Sequence, residues 1–173
     1  MKDYKMEDRP VWLEPYDKRH LPGLERYELP REQLQFTGMP IEMLALAETD
    51  SHRHPVIIMS PKGPVGFFIL YDGHEVAEYT DHPAALILRA FSVNYALQGK
   101  GYAKQGLLQL EDYIRQHFPG IAKVVLAVNE QNGPAQALYA GVGFEDEGRI
   151  RTGPIGRQFI LSKLVTGESR LQD

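Results

Sequence analysis

Two short apolar segments, separated by a helical pattern, place the strongest limit on how this chain can fold. Residues 86–93 (LILRAFSV) and 124–128 (VVLAV) both have the length and composition of strands. Between them, apolar residues recur at three- and four-residue steps, which predicts one amphipathic helix over residues 102–117. A strand, a helix and a second strand in this order join parallel strands, almost always by a right-handed crossover. The chain is therefore predicted to be an α/β domain that binds ligands where these strands end.

A glycine-bearing turn leads from the first of these strands into the helix. Glycine lets the backbone approach a ligand closely, and the amides of such a turn converge on one point. The helix dipole adds about half a positive charge there, which predicts an anion site. The spacing is not that of a Walker loop or a dinucleotide fingerprint, and a plain strand-to-helix turn is the alternative. The residues of the turn are Gln98, Gly99, Lys100, Gly101, Tyr102 and Ala103.

Further strands and helices are predicted around this unit. Leu108 and Tyr113 are expected to broaden the apolar face of the 102–117 helix. Irregular structure is expected at a loop over 51–55 and at a glycine-rich bend over 148–156. The remaining predicted elements are strands at 11–13, 56–59, 65–71 and 157–164, a strand that begins at Phe144, a helix over 40–48, and a helix that Asn132 caps and that ends at 141–143.

Composition excludes several classes of site and protein. The 173 residues suit one domain, predicted as 1–165, followed by a polar tail at 166–173. A net charge of −4 predicts no general affinity for nucleic acid or for an anionic membrane. The absence of cysteine excludes disulfides, thiolate metal sites and a cysteine nucleophile. His52 and His54 lack a third ligand nearby, so no metal is predicted. No apolar run is long enough to span a membrane and the first residues are charged, which predicts a cytoplasmic protein.

Two motifs together resemble those of the GNAT superfamily of acetyl-CoA-dependent N-acetyltransferases. The turn at 98–103 fits the Gln/Arg-x-x-Gly-x-Gly/Ala loop of that family. The pattern Asn129-x-x-Asn132-x-x-Ala135-x-x-Leu138-Tyr139, followed by Gly143-Phe144, is similar to its second hallmark. The resemblance is specific over residues 86–144 and elsewhere extends to a compatible order of elements. It implies a mixed, mostly antiparallel sheet of six or seven strands that splays between two parallel strands, with helices on both faces.

The resemblance also implies roles for individual residues, with acetyl-CoA as the co-substrate. The backbone amides of 98–103 are expected to bind the pyrophosphate, and Lys100 to add charge near it. The pantetheine arm is expected to lie between the two splayed strands. Its amides would pair with the backbone of Phe91, Ser92 and Val93. Asn129 and Asn132 are also expected to bind the cofactor, and Asn132 would contact the pantetheine or its phosphates. Tyr139 matches the tyrosine often proposed to protonate the leaving thiolate.

The acceptor side departs from the family pattern, because the strand before the loop carries no carboxylate to act as the base. Either the amine arrives already neutral or the base lies elsewhere. Glu78, Asp81 and His82 are candidates upstream, although a surface position is the simpler interpretation of each. Arg89 either binds a carboxylate of the substrate or faces outward from the sheet. The acceptor site is expected to involve residues 21–48, 72–84 and 148–156. Acidic residues in the second of these segments could favour a cationic acceptor, or they are solvated loop charges.

The predicted activity is transfer of an acetyl group from acetyl-CoA directly to a primary amine. The expected acceptor is a small molecule, either polyamine-like or antibiotic-like. Two alternatives remain at this point: a non-catalytic regulator of the same fold that binds acyl-CoA, and an enzyme that acetylates protein N-termini or lysines. The missing strand carboxylate would suit the regulator. A homodimer is also expected, because dimers are common among the proteins that the chain resembles.

Overall fold

A single seven-stranded sheet forms the centre of the protein, whose computed structural model describes residues 10–166. The strands are β1 (Trp12–Pro15), β2 (Arg53–Ser60), β3 (Gly63–Tyr71), β4 (Ala85–Val93), β5 (Lys123–Asn129), β6 (Glu145–Gly153) and β7 (Gly156–Leu164). They are arranged in the order β1-β2-β3-β4-β5-β7-β6. The β4–β5 pair is parallel and the other five pairs are antiparallel. The predicted mixed, mostly antiparallel sheet is therefore confirmed.

Six α-helices accompany the sheet in the described part of the chain. They are α1 (Leu21–Glu25), α2 (Arg31–Leu34), α3 (Pro40–Glu48), α4 (Tyr102–Leu108), α5 (Leu110–His117) and α6 (Gly133–Gly141). The segment His74–Glu78 forms a 3₁₀ turn. Within residues 10–166, no helix is long and apolar enough to cross a membrane. The predicted polar tail, apart from Thr166, and the charged first residues lie outside the described residues.

Two apolar clusters cover the two faces of the sheet, because side chains alternate along each strand. On β3, Phe68 belongs to the cluster under α4, α5 and α6, whereas its neighbour Phe67 belongs to the cluster under α1 and α3. Leu107 and Ile114 fill the first cluster from the helices, and Leu24 fills the second. Helices therefore lie on both faces, as the resemblance implied.

The single helix predicted over 102–117 is wrong in one respect: it is divided into α4 and α5 at Gln109. The backbone amide of Gln109 bonds to Gly106 three residues back, and its side chain donates to the carbonyl of Val11 at 2.7 Å. This local tightening shifts the buried face. Tyr113 is buried as expected, but Leu108 is 57% exposed, so its predicted place on the apolar face is wrong.

The bend predicted over 148–156 is also wrong, because most of it is strand. Residues up to Gly153 belong to β6, and a two-residue turn at 154–155 leads directly into β7. Gly148 has a φ of 82° and lies where the β6–β7 register shifts, so this glycine serves an irregular strand. Because β6 is an exposed edge strand of mostly charged residues, it lacks the apolar alternation by which strands are recognised.

The loop predicted over 51–55 is shorter than expected, because β2 begins at Arg53. His52 and His54 both approach the same carboxylate oxygen of Asp72, at 3.0 and 3.2 Å. Residues 10–166 contain no cluster of three side chains that could hold a metal ion. These histidines therefore connect the start of β2 to the end of β3.

The central parallel pair opens after three residues. Ala85, Leu86 and Ile87 of β4 face β5, and the described strands have no further paired positions beyond them. Further along β4, Ala90 and Phe91 together oppose the single residue Phe68 of β3, which is a β-bulge. Ala90 has a φ of 54°, a left-handed conformation that is uncommon for a residue with a side chain. The bulge turns β4 just where the two strands separate.

Candidate active site

A cavity of about 920 Å³ occupies the gap between the diverging ends of β4 and β5. It is lined by both strands, the 98–103 turn, residues 134–139 of α6, the α2 region and the 154–155 turn. Its volume falls in the range of sites that bind small molecules and cofactors. The cavity therefore brings together the two motifs that the sequence singled out, as the strand-helix-strand pattern predicted.

The 98–103 turn has the backbone of an anion-binding loop. Gly99 and Gly101 have φ values of 78° and 84°, in the left-handed region where glycine carries no steric penalty. Gly101 is also the N-cap of α4, and no side chain caps that helix. A side chain at Gly99 would meet no atom within 4 Å. The amides at the start of α4 thus remain available to an external acceptor of hydrogen bonds.

The side chain of Gln98 is used within the protein. Its amide exchanges two hydrogen bonds with the amide of Gln33 on α2, at 2.8 and 2.9 Å. The same Gln98 amide donates to the carbonyl of Val93 at 2.9 Å. A second contact lies close by, where the hydroxyl of Tyr27 meets that of Ser92 at 2.8 Å. The segment containing α2 is therefore fastened to the end of β4 and to the turn.

The three residues expected on the donor side of β4 occupy different surroundings. Phe91 lines the cavity, and its ring lies 5.9 Å from that of Phe68 and 6.2 Å from that of Tyr139. Ser92 and Val93 are buried and also line the cavity. Burial raises the pKa of Tyr27, whose hydroxyl contacts Ser92, so this phenol is protonated at neutral pH.

Asn129 and Asn132 shape the opposite edge of the cavity, between β5 and α6. The side chain of Asn129 accepts from the amide of Gln131 at 2.8 Å and donates to the carbonyl of Ile155 at 3.4 Å. Asn132 is the N-cap of α6 and accepts from the amide of Ala135 at 3.3 Å, as predicted. Both asparagines line the cavity while holding the local backbone in place.

Tyr139 on α6 lies against the cavity and is 9% exposed. Its ring is enclosed by Phe91 and by Phe144, whose centroid is 5.7 Å away. Burial raises the pKa of Tyr139 above its usual value of 10. The hydroxyl therefore stays protonated throughout the neutral and moderately alkaline range, which is the form that can donate a proton.

Two lysines near the turn lie on different sides of it. Lys100, which the sequence associated with the phosphates, lines a separate hollow of about 280 Å³ together with Lys62 and Tyr102. Lys104, in the first turn of α4, lines the large cavity. Sequence reasoning missed Lys104 because it lies just outside the motif, although its helical position one turn after Gly101 was a usable signal.

Arg89 faces the cavity from β4, immediately before the bulge. Its guanidinium contacts the carboxylate of Glu75 at 2.5 Å and lies 4.4 Å from the ring centroid of Tyr71. The hydrogen bond from Arg89 lowers the pKa of Glu75 despite partial burial. Arg89 thus lines the cavity, and its binding of a substrate carboxylate stays a prediction.

The other acceptor candidates lie away from the cavity lining. Glu78 is 3.6 Å from Arg151, and Asp81 is 3.1 Å from Arg149. His82 accepts a hydrogen bond from the amide of Ala84 and so holds a turn. Each of these side chains is therefore occupied by a neighbour at the surface of the 72–84 segment.

Sequence reasoning did not single out Arg53 or Tyr79, which also line the cavity. Arg53 lies opposite Tyr71 in the β2–β3 ladder, and Tyr79 is buried beside Arg89. Neither belongs to a motif, and only the pairing of distant segments brings them to the site. All three segments expected around the acceptor do contribute lining residues.

Comparison with known proteins agrees with the fold. The sequence model of the Acetyltransferase (GNAT) family matches residues 16–144. A Bacillus subtilis (strain 168) protein named as an uncharacterized N-acetyltransferase, YbbJ, is 42% identical over 152 residues, covering 87% of this chain and 95% of the relative.

Two solved structures show the same fold. The aminoglycoside acetyltransferase AAC(6')-Ib with coenzyme A and kanamycin aligns with a TM-score of 0.71 at 19% identity, over 89% of this chain and 94% of the other. A chimera of spermidine N-acetyltransferase SpeG from Vibrio cholerae aligns with a TM-score of 0.61 at 19% identity, over 90% and 96%. The chain belongs to the GNAT acetyltransferase family and is an acyltransferase that uses acetyl-CoA as its co-substrate.

Proposed function

We propose that this enzyme transfers the acetyl group of acetyl-CoA directly to the primary amine of a small molecule. The observation that carries the proposal is the one cavity that joins the 98–103 turn, the open edge of β4 and Tyr139. The relatives named for aminoglycosides and spermidine support the broad class of polyamine-like or antibiotic-like acceptors. Membership of an enzyme family and a protonated tyrosine in the cleft both favour catalysis over a regulator that only binds acyl-CoA.

Direct transfer suits the chemistry of a thioester, which is already an activated acyl donor. The amine nitrogen forms a bond to the carbonyl carbon, and the carbon–sulfur bond breaks. The products are the acetamide and the free thiol of coenzyme A, so one amine proton is in effect exchanged for the acetyl group. Holding the two substrates in line can supply much of the acceleration, because it converts a bimolecular reaction into a unimolecular one.

The donor half of the site is assigned to the loop and the open strand. The amides of 98–103 would bind the pyrophosphate, with Lys104 supplying charge inside the cavity and Lys100 from the adjoining hollow. The backbone of residues 91–93, which lies beyond the paired part of β4, would bond the pantetheine amides. Asn129 and Asn132 would position the opposite wall of this channel.

Tyr139 is assigned to the leaving group. A thiol ionises with a pKa of about 8.5, so the departing sulfur needs only a hydroxyl within hydrogen-bond distance to be stabilised or protonated. Burial keeps that hydroxyl neutral and limits competition from water. The aromatic rings of Phe91 and Phe144 fix the orientation of the phenol.

No dedicated general base is assigned. β4 carries no carboxylate, and the carboxylate of the cavity lining within residues 10–166 is Glu32, on the α2 side. We propose that the amine enters in its neutral form and loses its second proton to water after attack. The rate should then rise with pH as more of the amine becomes neutral.

An assay of coenzyme A release over a panel of amines and peptides tests the proposed function. Turnover of small amines supports it, whereas turnover of peptides alone would assign the enzyme to protein acetylation. Acetyl-CoA binding without turnover of any amine or peptide would contradict it. Calorimetry with acetyl-CoA measures the donor site separately.

Three organisational features are proposed with this function. Residues 1–165 form one catalytic domain with a polar tail at 166–173, and the protein acts in the cytoplasm as a homodimer. The single continuous sheet of the described residues supports the first. The cytoplasmic location rests on the sequence features described above, and the homodimer rests on the resemblance to a family in which dimers are common. Limited proteolysis tests the domain boundary, and analytical ultracentrifugation tests the assembly.

A further inference from the structure

The charged side chains that line the acceptor end of the cavity are arginines. Its charged lining within residues 10–166 consists of Arg53, Arg89, Lys104 and Glu32. Lys104 belongs to the first turn of α4, at the pyrophosphate end, so the two arginines are the cations of the opposite end. Glu32 is on α2, and the next residue, Gln33, donates a hydrogen bond to the side chain of Gln98 in the 98–103 turn. The side of the cavity that the amine must enter thus offers guanidinium groups.

Arg89 is held in place by two side chains that do not line the described cavity. Glu75 accepts from its Nη2 at 2.5 Å, and the ring of Tyr71 lies against the guanidinium plane at 4.4 Å. Glu75 does not line the cavity in the described structure, whereas Arg89 does. A guanidinium has five N–H donors, so the bond to Glu75 leaves others for a ligand. A pre-positioned arginine with free donors is suited to binding a planar anion in two-point fashion.

The position of Arg89 links it to the reacting atoms. Arg89 immediately precedes Ala90, whose positive φ forms the bulge at the opening between β4 and β5. The residues on the other side of the bulge, from Phe91 onward, are those assigned to the donor arm. A group bound by Arg89 is therefore held beside the thioester, and Arg53 lines the same region from β2.

We propose that the acceptor of this enzyme is an amine that also carries a carboxylate, and that Arg89 binds that carboxylate. The inference rests on the proposed function, keeps its small-molecule amine, and replaces the polyamine-like class with amines that carry a carboxylate. Burial would lower the pKa of Arg89, but Tyr79 and Glu75 outweigh burial and raise it, so the guanidinium is charged at every working pH. Arg53 is paired in the same way, with Asp50 at 3.2 Å, so each arginine has a carboxylate partner, and the expected preference rests on the remaining N–H donors of Arg89.

Matched pairs of amines that differ by one carboxylate test the proposal with the wild-type enzyme. The pairs are a homologous series of ω-amino acids against alkylamines of the same chain length, and L-lysine against cadaverine. We expect kcat/KM to be about 10- to 100-fold higher for the carboxylate member, as for a hydrogen-bonded charge pair. Phosphoethanolamine is compared with ethanolamine to test whether a phosphate can replace the carboxylate. An equally large preference for phosphoethanolamine would contradict a site specific for a carboxylate.

Variants at Arg89 show whether this residue carries the preference. Arg89→Lys keeps the charge but loses the two-point geometry, and it should lose most of the preference. Arg89→Glu should reverse the preference towards cadaverine. Arg151→Met is the matched control, because Arg151 lies 4.9 Å from the Tyr79 ring in the same neighbourhood but does not line the described cavity. That variant should keep the wild-type preference.

The possible outcomes distinguish failure of the carboxylate inference from failure of the proposed function. If both members of each pair react equally well in the wild-type enzyme, the carboxylate inference is overturned while the proposed function stands. If no amine reacts although acetyl-CoA binds, the proposed function fails and the inference fails with it. Thermal unfolding and acetyl-CoA calorimetry of each variant distinguish loss of selectivity from loss of fold, and the wild-type comparison decides the matter even if a variant does not fold.

Discussion

Removing one hydroxyl group, in Tyr139→Phe, is the sharpest test of how the leaving thiolate is handled. The ring contacts with Phe91 and Phe144 depend on the aromatic plane and survive the change. Stability should therefore shift by no more than about 1 kcal/mol, as for loss of a single hydroxyl group. A positioned proton donor typically contributes about 10²- to 10⁴-fold, so kcat should fall by that factor. At 1.36 kcal/mol per decade, this raises the barrier by about 3 to 5 kcal/mol.

The assay is steady-state release of free thiol, combined with calorimetric binding of acetyl-CoA. The expected result is a reduced kcat with nearly unchanged acetyl-CoA affinity, because the hydroxyl is assigned to the leaving group. Tyr113→Phe is the matched control, since Tyr113 is a buried tyrosine of α5 whose pKa burial also raises, to about 12, but it does not line the described cavity. Equal losses in the two variants would point to packing and would refute the assignment.

The pH dependence gives an independent check. Because burial raises the pKa of Tyr139 above 10, the protonated form persists to higher pH than in a free tyrosine. The proton is lost only as pH rises through the raised value, so no decline in kcat below pH 10 can come from this group. A decline centred below pH 10 that disappears in Tyr139→Phe would show that the hydroxyl is not held neutral as described.

Three further predictions concern stability, each measured by urea or thermal unfolding. In Gly66→Ala, the new methyl would lie 2.7 Å from Ile58 Cδ1 and 2.9 Å from the carbonyl oxygen of Ser92, which should cost about 1 to 3 kcal/mol. Gly133→Ala is the control: its new methyl would meet no atom within 4 Å, so no loss of stability is expected. In Asn132→Ala, loss of the cap of α6 should cost about 1 kcal/mol, while Asn132→Asp should retain most of it. In Glu111→Ala, Lys163 loses the carboxylate that lies 3.0 Å from its Nζ but keeps the carbonyl of Val142 at 2.8 Å, so about 1 to 3 kcal/mol should be lost and the double variant with Lys163→Met should recover much of it.

The sequence was most informative where backbone conformation is encoded locally. Gly99 and Gly101 adopt the left-handed backbone expected of glycines in a turn, and Asn132 caps α6 as its residue type favours. The parallel pair of strands was equally accessible, because buried strands are recognisable as apolar runs. These features shape the cavity around the 98–103 turn and α6, which is why its backbone there could be predicted.

The acceptor half depends on contacts between segments that are far apart in the chain. Glu75 braces Arg89 across a 3₁₀ turn, and Gln33 bonds Gln98 from a short helix whose sequence favours no particular structure. No local sequence pattern predicts such side-chain pairs. A strand was predicted to begin at Phe144, but the length of β6 was missed for a related reason, since its edge position permits charged residues that conceal the strand period.

The early separation of β4 from β5 has a thermodynamic consequence. Because β4 and β5 stop pairing after Ile87, the backbone of β4 beyond it is an unpaired strand edge inside the sheet. A ligand whose amides pair with that edge supplies the missing strand, so it acts as a removable part of the fold. Its binding free energy is then added to the stability of the whole sheet, about 2.7 kcal/mol at a hundredfold excess over Kd. The donor substrate would thus be a structural component of this protein during every catalytic cycle and absent from it between cycles.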